Sequence, residues 1–161
     1  TWNGGEDKPS LVLGNGRPFF VKLQNPHKRK LRLTSKNFNS LKINNLKIVS
    51  DSPKKPLKFT SSIKMRISTE SVIEIKNLKK LKDLTNSPVV VYDVSGKRSE
   101  KIISSVKYKK TTQNEFSLFL KADGGLPIKR FVNGDNVSPG VSSIIDNSCK
   151  CLEFDFLDIY V

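Results

Sequence analysis

The apolar positions of this chain follow two different periods. From Leu57 to Ile67, alternate positions are mostly apolar, which predicts a strand with one buried face. After Ser71, a capping residue type, apolar side chains recur at spacings of three, which predicts a helix. The helix carries Ile75, Leu78, Leu81 and Leu84. Three further strands are predicted at 88–94, 101–108 and 116–120.

The amino-terminal third has shorter runs. Ser10–Leu13 and Phe19–Leu23 are β-type, and Gly14-Asn15-Gly16 between them can adopt positive φ, so a hairpin is predicted. Thr34 or Ser35 can cap a short helix that continues to Ile43. A strand is predicted at 46–49.

The carboxy-terminal part supplies the remaining elements. Ser138-Pro139-Gly140-Val141 is typical of a helix start with proline near the first turn, and residues 152–161 predict a closing strand. Strands separated by both hairpins and helices are typical of an α+β fold, with a mixed, mainly antiparallel sheet and flanking helices. No repeat or linker interrupts the chain, so residues 1–161 are expected to form a single domain.

Charge is the strongest feature of the composition. The 161 residues include 29 Lys and Arg against 15 Asp and Glu, a net charge of +14 and an isoelectric point near 9.9. Such an excess on one domain is typical of proteins that neutralise phosphate, so nucleic acid is the leading expected partner. The alternative is a solvated basic surface in a lysine-rich proteome.

Several classes of chemistry are disfavoured. His27 is the single histidine, so a Ser-His-Asp or Cys-His system has one possible base. Cys149 and Cys151 are too few ligands for a structural zinc site, and reduced thiols are expected. No apolar run approaches the roughly 20 residues that span a bilayer, and no secretion signal is visible, so we expect an intracellular protein. The first residue is not Met, which suggests a piece of a longer chain.

One acidic residue stands in a notable setting. Asp7 ends the string Gly4-Gly5-Glu6-Asp7, and a tight turn carrying Arg17 follows. A carboxylate on a glycine-flanked loop is a plausible catalytic group, although an aspartate beside glycine is also ordinary turn chemistry. Arg17 is either a phosphate contact or an ion-pair partner of Glu6.

The string resembles the opening of the catalytic core in the archaeal and eukaryotic family of tRNA pseudouridine synthases that modify the T-arm. Members read Gly-Arg-Glu-Asp, then Leu-Gly-Asn-Gly-Arg-Pro-Phe and Asn-Pro, as in 13–19 and 25–26 here. A second cluster, which runs from Gly125 through Lys129 to Pro139, resembles the same family in the same order. The terminal strand repeats the match at Leu152, Glu153 and Asp155.

The resemblance implies a pseudouridine synthase fold with a central RNA cleft, and an isomerase that needs neither metal nor organic cofactor. It implies that Asp7 is catalytic and that Lys129 lies in the active site, and we expect Arg17 and Phe59 to support Asp7 in place of family residues that this chain lacks. The expected partner is RNA, most plausibly tRNA, bound by a protein that is expected to be a monomer in the cytoplasm or nucleus. The residues expected to contact RNA are Lys28, Arg29, Lys30 and Arg130.

The chain also departs from the family pattern. Gly5 stands where the family has arginine, and Pro9 and Leu11 replace an aspartate and an arginine. The family's active-site tyrosine has no counterpart; Phe59 is the nearest ring, or in another register Ile63 occupies that position. Two hypotheses follow: a pseudouridine synthase, or a catalytically degraded RNA-binding or assembly module.

Overall fold

The structure is a computed structural model that describes residues 9–28, 34–39, 41–50 and 57–161. Its strands are β1 Lys36–Phe38, β2 Leu41–Ile43, β3 Thr60–Thr69, β4 Pro88–Tyr92, β5 Arg98–Lys110, β6 Glu115–Asp123, β7 Val137–Ser138 and β8 Cys149–Tyr160. Its helices are α1 Ile75–Lys79, a 3₁₀ helix Lys80–Leu84, α2 Ile128–Asn133 and α3 Val141–Ile145.

Six strands form one antiparallel sheet in the order β7-β4-β5-β6-β3-β8. The predicted α+β class with a mainly antiparallel sheet is confirmed. The strands predicted at 57–67, 88–94, 101–108, 116–120 and 152–161 all appear, with ends that differ by a few residues.

The sheet has one apolar and one polar face because its strands alternate. On β3, Ile63, Met65 and Ile67 are at most 1% exposed, while Lys64 and Arg66 between them are exposed. The same alternation on β6 buries its even-numbered residues from Phe116 to Ala122. The helices supply the other half of the core, through Leu78, Leu81, Phe131 and Val141 among others. We refer to the two surfaces as the helix-covered face and the open face.

The helix predicted after Ser71 forms, but it begins later. Ser71 donates its backbone N–H to Asn147 Oδ1 at 3.1 Å, and its carbonyl accepts the hydroxyl of Thr69 at 2.8 Å. These bonds hold Ser71 in a turn, so it does not cap the helix. Glu74 occupies the cap position without a side-chain cap bond.

The helix predicted from Thr34 or Ser35 to Ile43 is wrong. The segment instead forms an antiparallel pair, in which Phe38 of β1 lies opposite Leu41 of β2. These two side chains are 57% and 50% exposed, so no core surface is present to stabilise an amphipathic helix. The strand predicted at 46–49 is also wrong, because this stretch has no regular structure and its Ile48 is 71% exposed.

The hairpin predicted at the amino terminus is wrong as well. Residues 9–17, which we call the arm, lie along the outer edge of the sheet, where Val12 forms a parallel bridge with Phe156 of β8. The arm therefore forms backbone hydrogen bonds with the free edge of β8 and does not pair with residues 19–23. The turn at 14–16 is real: Gly16 donates to the Leu13 carbonyl at 3.1 Å.

Candidate active site

The arm is held to β8 by backbone and carboxylate contacts. Leu13 N donates to Phe156 O at 2.8 Å, and Phe156 N donates to Leu11 O at 2.9 Å. The carboxylate of Asp155 accepts the N–H of Leu11 at 2.9 Å. The carboxylate of Asp158 accepts the N–H of Asn15 at 3.1 Å. Two acids of β8 thus set the register of the segment that follows Asp7 in the sequence.

Gly14 is the point of closest approach between the arm and β8. A Cβ built there would lie 2.7 Å from the Leu157 carbonyl oxygen and 2.8 Å from Asp158 Cγ, and the residue has φ +61°. Glycine is required for both reasons. The glycine in Gly14-Asn15-Gly16 therefore allows the arm to pack closely on β8, and this is its role in place of a phosphate-binding loop.

Arg17 is partly buried at the end of the arm. The carbon atom of its guanidinium lies 5.3 Å from the ring centroid of Phe156, within cation–π range. Phe156 is only 8% exposed and meets Phe154 edge-to-face, with centroids 5.9 Å apart. Because Phe156 lies opposite the buried Ile63, Arg17 is placed on the helix-covered face, near the β8 edge.

Lys129 is carried by α2, which packs against β8. Ile128, Phe131 and Val132 are buried and anchor this helix, while Lys129 itself is exposed. Gly134 ends the helix with φ +89°. Arg17 and Lys129, which come from opposite ends of the sequence, therefore both belong to elements that contact β8.

Phe59 precedes β3 and packs on Gly124, which follows β6. Gly124 N donates to Phe59 O at 2.8 Å, and a Cβ built on Gly124 would lie 2.4 Å from Phe59 Cζ. The ring is partly buried against the core. The alternative position, Ile63, is 1% exposed within the core and cannot stack on a base. The role of Phe59 in the site stays a prediction.

Substitution of Gly124 by alanine should destabilise the protein. The added methyl overlaps the Phe59 ring, and such overpacking typically costs about 1–3 kcal/mol. Urea denaturation measures the change. In a Phe59→Ala background the same substitution should cost about 0.5 kcal/mol or less, since the clash is gone. Equal losses in both backgrounds would contradict the packing described here.

Arg130, predicted to contact RNA, has a structural role. Its side chain donates to the carbonyls of Asp135 at 2.9 Å and Asn136 at 3.4 Å, and to that of Tyr92. These bonds connect α2 and the loop after it to the end of β4. An RNA contact of Arg130 stays a prediction.

Several predicted site residues lie outside the described residues: Asp7, Arg29 and Lys30. Lys28, the last described residue before a gap, is exposed. The assignments of Asp7 as catalytic and of Lys28, Arg29 and Lys30 as RNA contacts stay predictions.

Cys149 and Cys151 are buried on the helix-covered face of β8 and are not joined in a disulfide. Burial raises the pKa of the Cys149 thiol, although a hydrogen bond with Ser142 works in the opposite direction. In the part of the chain that the structure describes, no three His, Cys, Asp or Glu residues cluster as metal ligands. Across the same residues, no helix is long and apolar enough to cross a membrane.

A shallow cavity of about 560 Å³ lies away from Arg17, at the carboxy-terminal end of α2. Its lining is polar and includes Gly134, Ser138, Ser142 and Asn147. Ser142 is already bound, since it donates to the Val132 carbonyl at 2.9 Å and accepts the Cys149 N–H at 3.0 Å. This cavity is therefore a feature of the α2–α3 packing.

Sequence reasoning missed the positioning residues of the arm. Glu153 and Asp155 alternate with the phenylalanines of the last strand, which predicts that both acids face solvent, and Glu153 is exposed as this pattern predicts. Asp155 is instead partly buried under the arm, where it accepts the N–H of Leu11. Three residues further along β8, Asp158 accepts the N–H of Asn15 in the same way. The available signal was an edge strand rich in acids in an otherwise basic chain.

With this geometry established, comparison with known proteins identifies the family. The family described as Pus10, C-terminal, matches residues 1–160, and the chain belongs to it. The chain is 66% identical over 161 residues to the tRNA pseudouridine synthase Pus10 of Nitrosopumilus maritimus (strain SCM1), covering 100% of this chain and 42% of the relative. It is 37% identical to the protein of the same name from Cenarchaeum symbiosum (strain A), covering 100% and 40%.

A more distant relative is the Xenopus laevis tRNA pseudouridine synthase Pus10, 28% identical over 95% of this chain and 34% of the relative. The chain thus spans less than half the length of these curated relatives. Among solved structures, it resembles a chain in the crystal structure of a Cbf5-Nop10-Gar1 complex, with a TM-score of 0.51 at 6% identity over 60% of this chain and 29% of that chain. That likeness concerns the fold alone, and with the family match it confirms the pseudouridine synthase-like α+β fold.

Proposed function

We propose that this chain forms most of the catalytic core of a tRNA pseudouridine synthase, which isomerises uridine to pseudouridine in the T-arm through Asp7. The observation that carries the proposal is the meeting of the two family motifs at β8. The arm that follows Asp7 pairs with this strand, and the helix that bears Lys129 packs on it. Residues more than 100 positions apart in sequence are thereby assembled on one edge of the sheet.

The proposed reaction conserves every atom of the nucleoside. The target uridine leaves its stack, at a cost of a few kcal/mol that backbone contacts offset. The Asp7 carboxylate attacks the nucleoside, the bond from C1′ to N1 breaks, and the freed uracil rotates. A bond from C1′ to C5 then forms as the bond between the Asp7 carboxylate and the nucleoside breaks, C5 loses its proton and N1 gains one. No metal or organic cofactor takes part.

Arg17 and Lys129 have an electrostatic role in this proposal. A carboxylate in a partly closed cleft stays ionised only if a cation or hydrogen-bond donors stabilise its charge. Gly5 cannot supply the charge of the family's arginine, so Arg17 and Lys129 are the cations proposed to serve Asp7. Arg17 is preorganised for this because its guanidinium already rests on Phe156.

RNA binding should depend strongly on salt. Each phosphate that the protein neutralises contributes about 0.7 to 0.9 to the slope of log affinity against log salt. With a net charge of +14, several phosphates are neutralised, and we expect a slope of magnitude about 3 or more. A salt titration with an unmodified tRNA transcript measures it. A flat response would remove RNA as the partner.

The direct test of function is pseudouridine formation by the full-length protein. An unmodified tRNA transcript labelled with tritium at C5 of uridine should release tritium, and reverse-transcription mapping should place the product in the T-arm. No release above the no-enzyme background would contradict the proposal.

The second candidate function is a non-catalytic RNA-binding or assembly module. Gly5, Leu11 and the missing tyrosine favour it, because all three fall on positions that face substrate in the family. It predicts salt-dependent RNA binding without tritium release, so the same two measurements separate the hypotheses. One domain over residues 1–161, a monomer, and an intracellular location in the cytoplasm or nucleus belong to the main proposal.

A further inference from the structure

The open face of the sheet combines aromatic and cationic side chains. Its centre is Phe119 on β6, which is partly exposed and is not among the residues that pack with the core. Lys64 of β3 and Lys107 of β5 lie directly opposite Phe119 on its two neighbouring strands. Directly paired side chains have Cβ atoms about 5 Å apart. The phenylalanine is therefore flanked on both sides by lysines.

The pattern continues in the next rows. Ser117, two residues along β6, lies between Arg66 and Lys109, and Lys121 in the other direction lies between Ser62 and Ser105. We call this area, formed by Lys64, Arg66, Lys107, Lys109, Ser117, Phe119 and Lys121, the sheet platform. All five cationic side chains are exposed.

The acidic residues near the platform lie along its β8 side and at both ends of β6, where Asp123, at the end opposite Glu115, accepts the N–H of Ile102 at 2.9 Å. Arg66 binds Glu153 at 3.1 Å and approaches Glu115 at 3.8 Å, so its charge is compensated. Asp155 lies opposite Lys64 but accepts the N–H of Leu11. Within the described residues, Lys64, Lys107 and Lys109 form neither an ion pair nor a hydrogen bond. The β5 half of the platform is thus uncompensated positive charge.

The platform is distinct from the candidate active site. Arg17 contacts Phe156, whose pairing partner Ile63 belongs to the helix-covered face, and Lys129 lies on α2, also on that side. Phe119 projects from the opposite surface of the sheet. A ligand on the platform would therefore be held by other residues than those assigned to the reaction.

We propose that the sheet platform binds an unpaired segment of RNA, with one base stacked on Phe119 and adjacent phosphates held by Lys64 and Lys107. A π face accepts any base, and the flanking lysines track the backbone, so the site is tolerant of sequence. Charge complementarity selects this occupant: the two uncompensated lysines of β5, together with Lys64 on the other side of a partly exposed ring, repel cationic partners and suit a polyanion with stacking groups. The proposal rests on the RNA partner of the proposed function but not on its reaction.

The test uses the full-length protein and a fluorescein-labelled single-stranded 12-mer of uridylate, with affinity measured by fluorescence anisotropy at several salt concentrations. Phe119→Leu should weaken binding about tenfold, the loss of one stacked base. Lys64→Gln with Lys107→Gln should lower the magnitude of the salt slope by about 1.4, for two phosphate contacts on a single strand. Photocrosslinking of the 12-mer with 5-iodouridine in place of uridine should label the peptide that contains Phe119.

The matched control is Lys79→Gln with Lys82→Gln, which removes the same charge from exposed positions on the helix side. It should change affinity less than twofold. Equal losses in both double variants would overturn the platform, since net charge would then explain binding. Unchanged binding by Phe119→Leu, with a lowered melting temperature, would also overturn it and indicate that another part of the protein covers this face.

Failure of the platform and failure of the proposed function are distinguishable. Tritium release from tRNA by wild-type protein together with unchanged 12-mer binding by the platform variants overturns the platform alone. Absence of tritium release, with the expected losses of 12-mer binding, overturns the reaction and supports the platform.

Discussion

Replacement of Asp7 by asparagine is expected to abolish pseudouridine formation by the full-length protein. An amide cannot act as the nucleophilic carboxylate, and loss of a nucleophile typically lowers the rate by about a thousandfold or more. Fold and RNA affinity should be nearly unchanged because the two side chains have the same shape. Tritium release from unmodified tRNA measures the rate, and anisotropy with the same tRNA measures the affinity.

Asp146→Asn is the matched control for this substitution. Asp146 is exposed and caps α3 with φ +52°, a conformation that asparagine also tolerates. It removes the same charge, and tritium release should be preserved. Equal activity of wild type and the Asp7 variant would contradict the catalytic assignment and favour the binding module. Gly5→Arg is the companion: it should raise activity if a missing cation limits Asp7.

Replacement of Phe131 by alanine is expected to cause the largest loss of stability, about 3–5 kcal/mol. Phe131 is fully buried on α2, where its ring fills the space between this helix and the sheet. The substitution removes the buried surface and leaves a cavity. Because α2 also carries Lys129, a weakened helix should reduce tritium release at temperatures below the melting transition.

Phe38→Ala provides the control with identical chemistry. Phe38 on β1 is 57% exposed and lies outside the core. Its loss should cost about 0.5 kcal/mol or less, within the range of surface substitutions. Urea denaturation of both variants gives the comparison, and similar losses for the two would show that α2 is not packed as described.

The regions where sequence succeeded share a physical cause. On β3 and β6 buried residues alternate with more exposed ones along the whole strand, and on β8 the alternation is interrupted at two register shifts. When one face of a sheet is buried, a period of two predicts a strand. The apolar spacing of three at 75–84 likewise predicted a helix, but its start was misplaced, its second half is a 3₁₀ helix, and Ile75 is exposed. Ser71 is held by Asn147, a residue 76 positions away, so no local signal could show that it would not cap.

The regions where sequence failed depend on distant partners. The apolar side chains in residues 34–43 have a spacing that suits one face of a helix. They do not pack against the core, and the segment forms an antiparallel strand pair instead. The arm has the composition of a hairpin strand, but the free edge of β8 and two acids on it provide a better partner. Pairing at the edge depends on the assembled sheet, so neither the sequence of the arm nor that of β8 predicts it alone.

For the candidate site the division is similar. The order of the family motifs in the sequence determined the family and the identities of the expected site residues, and the pattern of apolar positions determined the α+β class, because these depend on residue type and spacing. Only the tertiary structure showed that the arm and α2 meet at β8, that Arg17 rests on Phe156, and that Arg130 is engaged by carbonyl oxygens. Those facts depend on which side chains share a face of the sheet, and long-range packing decides that.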